Sequence, residues 1–210
     1  PDGDTFTISA TPGGATLDPA ADGSGTAITG PKVATTGLQT YSDPVVIAAA
    51  SPGLNVKGAA LTFSQTVNAD LALNSRDLVI NATGAVTFTG AVGDTDPLGR
   101  LTEVTTTTFN VNGGSVDVET QRYTGAVTLG ADTTFRGTDI TFVSTLDGTV
   151  DLTMRATGTA TFTGAVGGGS AIVDLISDNG GTTSIGANVT TSGNQQYDDA
   201  VTLAVTVTLD

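Results

Sequence analysis

Three Gln-x-Tyr motifs are the residues of this sequence that most invite a binding interpretation. Each tyrosine of the chain stands two positions after a glutamine, in the pairs Gln39/Tyr41, Gln121/Tyr123 and Gln195/Tyr197. An exposed column of such rings could stack against sugars, while the glutamine amides form hydrogen bonds. The alternative is structural: each tyrosine packs at an edge of the fold and its glutamine bonds to a backbone turn. Because only one tyrosine falls in each long repeat, the spacing favours the structural interpretation.

Aspartate supplies the other candidate chemistry, with 19 residues against two glutamates. The pairs Asp2/Asp4, Asp94/Asp96 and Asp198/Asp199 could offer the oxygen ligands that Ca²⁺ requires. The chain lacks an EF-hand loop and a Gly-Gly-x-Gly-x-Asp repeat. Aspartate is also a favoured turn residue, and an acidic surface keeps a long molecule soluble. The sequence therefore predicts turn aspartates and no cofactor, with Ca²⁺ binding as the alternative.

Histidine and cysteine are both absent, which excludes Ser-His-Asp and Cys-His triads, the usual zinc sites and redox dithiols. Arg136 and Arg155 stand at matching points of a short repeat, which is typical of structural residues. The sequence therefore predicts no enzyme and no catalytic, cofactor-binding or metal-binding residue. Seven basic against 21 acidic residues give a net charge of −14, which disfavours nucleic acid as a partner. No apolar run reaches the ~18 residues of a membrane-spanning helix, so no membrane insertion is expected.

Long units repeat along the chain. Residues 84–93 (GAVTFTGAVG) recur at residues 158–167 (GTATFTGAVG), a shift of 74, and the three tyrosines are 82 and 74 residues apart. A smaller repeat of roughly 19–25 residues lies inside each unit, as in DTTFRGT from Asp132 and DLTMRAT from Asp151. The predicted organisation is one continuous array, with the end of a partial unit in 1–40, full units in 41–122 and 123–196, and the start of a partial unit in 197–210. Such an array is typical of a segment of a longer repetitive protein.

The local pattern predicts an all-β fold. The chain holds 41 threonines, and apolar residues alternate with threonine in short runs such as 87–89, 161–163 and 201–209. Short strands at this period predict a parallel β-helix, or β-solenoid, with three or four coils in each unit of about 74–82 residues. Tandem immunoglobulin-like β-sandwiches are the alternative, because the unit is near the size of one such domain. Four phenylalanines join the Gln-x-Tyr pairs as predicted structural anchors of the repeat: Phe63, Phe88, Phe142 and Phe162.

Two segments also carry a family resemblance. Residues 121–137 (QRYTGAVTLGADTTFRG) and 158–167 resemble the repeats of very large bacterial surface and secreted proteins. These are the β-strand-repeat adhesins related to filamentous haemagglutinin and autotransporter passengers, and the resemblance covers residues 33–210. It implies a right-handed parallel β-helix, secretion, and a structural or adhesive role. It brings no catalytic residues to this chain.

The predicted function is therefore a non-catalytic, extracellular repeat segment of a large bacterial surface protein, such as an adhesin stalk or passenger. Its expected location is secreted or at the cell surface, and its expected partner is a host or environmental surface ligand, with a glycan as one candidate. The alternative is a self-assembling extracellular fibre, sheath or matrix subunit. That alternative follows from the strand-like run 200–209, which could pair with another copy and form a homo-polymer.

Overall fold

The computed structural model describes residues 15–17, 26–28, 32–48, 53–71, 76–105, 108–178 and 180–210, with backbone only at 15–17, 26–27 and 103–105. Every regular element in this part of the chain is a β-strand. All of the strand pairs there are parallel, and the sheets stack as a β-solenoid of about eight turns. The predicted β-helix is therefore confirmed. The alternative of tandem sandwiches is wrong, because immunoglobulin-like sheets are antiparallel.

The solenoid has three faces, which the chain visits in the order 1, 2, 3 in every coil. Face 1 consists of β1 (Ala15–Leu17), β4 (Gln39–Tyr41), β7 (Leu61–Phe63), β10 (Val86–Phe88), β12 (Thr108–Val111), β14 (Ala126–Leu129) and β16 (Leu146–Gly148). Single bridges extend this column through Val166 and Val189 to Leu209.

Faces 2 and 3 are separate at first and then share strands. Face 2 begins with β2 (Thr26–Ile28), β5 (Val45–Ile47) and β8 (Val67–Ala69), and it ends with β18 (Leu175–Asp178) and β20 (Gln195–Tyr197). Face 3 begins with β3 (Lys32–Ala34), β6 (Leu54–Gly58), β9 (Asp77–Ala82) and β11 (Leu98–Thr105), and it ends with β19 (Thr182–Ile185) and β21 (Ala200–Leu203). Between them, three long strands turn the corner and serve both faces: β13 (Ser115–Tyr123), β15 (Thr133–Phe142) and β17 (Leu152–Phe162).

The short sequence repeat is one coil of the solenoid. Residues in register on face 1 are 18–25 positions apart, as in the series Tyr41, Phe63, Phe88, Val111, Leu129. On face 2 the predicted 19-residue shift is the observed register, with Phe135 opposite Met154. The 24-residue shift in the first unit is likewise the register of β6 against β9. Thus the internal similarity arises because the buried apolar positions of one coil stack on those of the next.

The long unit is not a whole number of coils. We count one strand position for each passage of the chain across a face, whether that passage is a strand or a single bridge. From Tyr41 on face 1, eleven further positions lead to Tyr123 on face 3, and eleven more lead to Tyr197 on face 2. Eleven positions on three faces make 3⅔ coils, which lies between the three and four predicted. Successive units therefore place the same motif on a different face. The predicted unit boundaries fall inside the strands that contain these tyrosines, so the chain is continuous across them.

The core is a narrow apolar column with a ladder of aromatic rings. On face 1, Tyr41, Phe63 and Phe88 lie with ring centroids 4.7 and 4.9 Å apart. The ladder then crosses to face 3 through Phe109, whose ring meets that of Tyr123 edge-on at 5.1 Å. It continues through Phe142 and Phe162, with Phe135 beside it from face 2. The rotation of the motif from face 1 to face 3 thus leaves the ladder unbroken, because rings from both faces reach the same thin core.

Two glycines at equivalent positions of the repeat have the same backbone conformation, although they follow strands on different faces. Gly93 follows β10 on face 1, and its repeat equivalent Gly167 follows β17 on face 3. Both have φ of +69°, a conformation that strains residues with a Cβ. A Cβ at either position would also clash with a backbone carbonyl of the following coil, that of Asp117 or Thr190. Glycine is therefore required at both corners.

Candidate functional site

The three Gln-x-Tyr motifs form the same internal hydrogen-bonded clamp in three places. In each, the tyrosine hydroxyl donates to the glutamine Oε1, at 2.7 Å for Tyr41, 2.9 Å for Tyr123 and 3.0 Å for Tyr197. The glutamine Nε2 then donates to a backbone carbonyl further along the chain. These acceptors are the carbonyl oxygens of Lys57 at 2.5 Å, Arg136 at 2.6 Å and Asp210 at 2.7 Å. The clamp therefore ties one coil to the corner of the next.

The first two clamps lie inside the molecule. Tyr41 and Tyr123 are 1% and 0% exposed, so neither ring offers a face to a sugar. Burial raises the pKa of Tyr41 well above its usual value, and it raises the pKa of the half-buried Tyr197 to about 12. The three tyrosines also lie on three different faces, so they do not form a single stripe. The four phenylalanine anchors, Phe63, Phe88, Phe142 and Phe162, belong to the buried ladder described above.

Aspartate side chains cap backbone N–H groups at the corners. Asp132, Asp151 and Asp174 stand in consecutive coils, and each Oδ1 accepts from the amide of the residue stacked on it in the next coil, at 2.9, 3.2 and 2.5 Å. Asp139 likewise accepts from the amide of its register partner Thr159, and Asp147, within β16, accepts from the amides of Gly169 and Ser170 in the next coil. Such bonds satisfy amides that a turn leaves without a ladder partner.

The structure places the candidate calcium residues at different points. Asp94 and Asp198 are exposed, while Asp2 and Asp4 lie outside the described residues. Among the residues that the structure does describe, no group of three or more Asp or Glu side chains is arranged to hold a metal ion.

A shallow cleft lies at the corner where faces 2 and 3 meet. Its volume is about 290 Å³, near the lower limit of small-ligand pockets. We call it the Arg–Thr cleft, and its lining residues are Asp117, Glu119, Arg136, Gly137, Thr138, Arg155 and Thr157. Three neighbouring strands thus supply two side chains each, at positions i and i+2, which lie on the same side of a strand. The side chains thus form a charged grid of three rows. The first row is acidic (Asp117 and Glu119), and the next two each pair an arginine with a threonine (Arg136 with Thr138, and Arg155 with Thr157).

Gly137 allows the strands to approach closely at this corner. A Cβ there would clash with the carbonyl oxygen of Val118 and lie 2.9 Å from that of Glu119. Directly after Gly137, the register of β15 against β17 shifts by one residue. The bulge bends the long strands from face 2 to face 3 and increases their local twist. The arginines and threonines therefore surround a surface that has no side chain at its centre.

The charges of the cleft do not neutralise one another by contact. In the register of adjacent strands, Arg136 lies opposite Asp117 on one side and Arg155 on the other. Arg155 in turn lies opposite Asp178. Among the described residues, neither guanidinium has a carboxylate oxygen within 4.0 Å. Partial burial raises the pKa of Asp117, while the positive charge of Arg136 opposes that rise. The cleft thus presents two free guanidinium groups beside a poorly solvated carboxylate.

The sequence holds one signal for this cleft, an arginine that repeats one coil later. The pattern Arg-x-Thr begins at Arg100, Arg122, Arg136 and Arg155, and the last two of these stand one coil apart. Because the two arginines repeat with the fold, the sequence predicts a structural role for them. The register shows that this repetition also places two like charges side by side on the outer surface.

Comparison with known protein families, curated proteins and solved structures gives no match to this chain. Within the described residues there is no helix capable of crossing a membrane. Any function must therefore be inferred from the residues of this chain.

Proposed function

We propose that this chain is a non-catalytic structural and adhesive segment of a large bacterial surface protein, secreted or displayed at the cell surface. Its task would be to span distance and to present side chains along a rod. The observation that supports this proposal is the uninterrupted stacking of the coils. Nine strands follow one another in register on face 3, and one buried apolar column runs beneath all three faces.

The geometry suits a spacer. Parallel strands are about 4.8 Å apart, so about eight turns give a rod of roughly 40 Å. Each coil contacts its neighbours alone, so further coils extend the rod without a change of design. A unit of 3⅔ coils then adds roughly 18 Å of length. The aspartate caps and glutamine clamps run between coils, so they bind each added coil to the preceding one.

Insertion of a second copy of residues 123–196 after residue 196 tests the spacer proposal. Every segment of the inserted copy would lie one face away from its original position. We expect a folded rod that is longer by roughly 18 Å, measured by small-angle X-ray scattering and electron microscopy. The original chain is the length reference. A rod of unchanged length, or a bead beside the original rod, would contradict the proposal.

Adhesion is measured separately, with beads coated with the chain and passed over glycan and cell surfaces. Retention above that of beads coated with a solenoid of unrelated sequence would support the adhesive part of the proposal. Equal retention on every surface would leave only the spacer role.

A self-assembling fibre is the second candidate, and the last coil favours it. Val201, Leu203, Val205 and Leu209 are 40–54% exposed, although they repeat the apolar positions of earlier coils. A further coil would cover them, whether it belongs to the same chain or to another copy. Sedimentation of the chain over a hundredfold range of concentration tests this candidate. Concentration-dependent polymers that disappear in Leu203→Asp would support the fibre, and a monomer at all concentrations would exclude it.

A further inference from the structure

We propose that the Arg–Thr cleft binds an acidic sugar, a hexuronate unit of a polysaccharide whose single carboxylate lies among ring hydroxyls. This proposal rests on the adhesive role proposed above, and it assigns to that role a ligand class and a binding site. The spacer test does not depend on it, so either can fail without the other.

The two guanidinium groups supply the anion site. Arg136 and Arg155 are Cα partners on adjacent strands, and both side chains are exposed. Like charges directly opposite each other destabilise a sheet. An anion placed between them would remove that repulsion, and planar guanidinium groups bind a carboxylate with paired hydrogen bonds.

The rest of the cleft matches the hydroxyls of a sugar. The carboxylates of Asp117 and Glu119 lie on one side of the arginines and accept hydrogen bonds, while Thr138 and Thr157 both donate and accept them. A heavily sulfated chain would meet these carboxylates and the net charge of −14 unfavourably. A carboxylate from an acidic peptide would fit the arginines but would offer no hydroxyls to Asp117. A sugar with one carboxylate satisfies both groups.

The repeat itself shows that the fold does not require these charges. The glutamine clamp holds the backbone of Lys57, Arg136 and Asp210 in the same way in the three units. The side chain at this one structural position is therefore lysine, arginine or aspartate. Asn81 takes the place of Arg155 beside Lys57, and Ala34 takes that of Asp117. The first unit thus forms the same corner without the charged grid.

Titration of ¹⁵N-labelled protein with oligogalacturonate and with a hyaluronan tetrasaccharide tests the proposal by NMR. We expect at least one of them to shift the amides of residues 136–138 and 155–157, with a Kd of about 0.1–1 mM for so open a cleft. The methyl ester of the same oligogalacturonate and a sulfated oligosaccharide of equal length should bind at least tenfold more weakly.

Variants assign the binding to the cleft. Arg136→Gln and Arg155→Gln should each weaken it by about tenfold to a hundredfold, because each removes a charged hydrogen-bond partner. Lys57→Gln changes the equivalent corner of the first unit and should leave the affinity unchanged. None of the three variants should melt at a lower temperature than the original chain, which separates lost binding from lost folding. The two arginine variants should melt slightly higher, because each removes the repulsion between the opposed charges. Absence of binding to both uronates, or equal binding by the arginine variants, would overturn the proposal.

Discussion

Replacing Tyr123 by phenylalanine would remove one hydroxyl from the interior and leave the Oε1 of Gln121 without its 2.9 Å donor. Both side chains are about 1% exposed or less, so water cannot replace the lost partner. A buried polar atom without a partner costs about 1–3 kcal/mol. We therefore expect Tyr123→Phe to lower the free energy of unfolding by about 2 kcal/mol, although the ring and its contacts with Phe142 remain.

The partner substitution completes a double-mutant cycle. Gln121→Leu removes the donor to the carbonyl oxygens of Val118 and Arg136, and it removes the Oε1 acceptor of the Tyr123 hydroxyl. It should cost about 2–3 kcal/mol by the same reasoning. In the double variant no hydroxyl and no amide remain to be satisfied, so its loss should be smaller than the sum of the two single losses. We expect a coupling free energy of about 1–2 kcal/mol.

Urea unfolding followed by circular dichroism measures these changes, provided that the slope of the transition stays constant among the variants. Tyr197→Phe is the matched control, because the same motif is half-buried there and the Oε1 of Gln195 can accept from water once the hydroxyl is gone. Its loss should remain below about 0.5 kcal/mol. Equal losses at positions 123 and 197, or additive losses in the cycle, would refute the account of the clamp as a buried network.

Other substitutions and conditions test the corners and the tyrosines. Gly93→Ala should lower the free energy of unfolding, measured in urea, by about 2 kcal/mol or more, because the position combines a positive φ with a backbone clash. The control Gly168→Ala should change that free energy by less than about 0.5 kcal/mol. Similar values for both variants would contradict the geometry. Asp174→Ala should speed hydrogen exchange at the amide of Asn194, and Asp174→Asn should largely restore its protection; an unchanged exchange rate in the alanine variant would show that the cap is not formed. Because the folded pKa of Tyr197 is about 12 and the unfolded value is about 10, its contribution to stability is complete below pH 10 and is lost between pH 10 and 12. Melting temperatures across that interval should fall more steeply in the original chain than in Tyr197→Phe, and parallel curves would contradict the assignment.

The sequence was sufficient to predict the fold class and even some registers, because in a solenoid the inward apolar positions of successive coils stack on one another. The 19-residue similarity of DTTFRGT and DLTMRAT is the pairing of Phe135 with Met154. The number of coils in a unit was not predictable, since a corner can contain one residue or many. The long strand β15 turns from face 2 to face 3 at Gly137 without a turn motif, whereas seven residues, 70–76, separate β8 from β9. Residue spacing therefore counts coils only approximately.

The candidate site was harder to predict because it depends on curvature. Arg136 and Arg155 could be placed one coil apart from the sequence, but a repeated outward arginine on a flat face would be an ordinary solvated residue. The bulge after Gly137 turns the same pair into part of a concave corner. This curvature arises because the backbones of adjacent strands approach closely at Gly137, and no residue pattern in the sequence predicts that approach. In contrast, the clamp could be anticipated, since a glutamine two positions before each tyrosine places both side chains on one side of a strand.

The offset of 3⅔ coils has a consequence for how such a rod presents its surface. A motif that returns after a whole number of coils would lie on one face, and a ligand site carried by every unit would form a single stripe. Here each unit moves its motif to the next face, and the same face recurs only after three units, or eleven coils, which is roughly 53 Å along the axis. Sites such as the Arg–Thr cleft would therefore point in three directions around the rod. Because the inward side chains are fixed by stacking while Lys57, Arg136 and Asp210 differ outside, each unit can change its surface without disturbing the core.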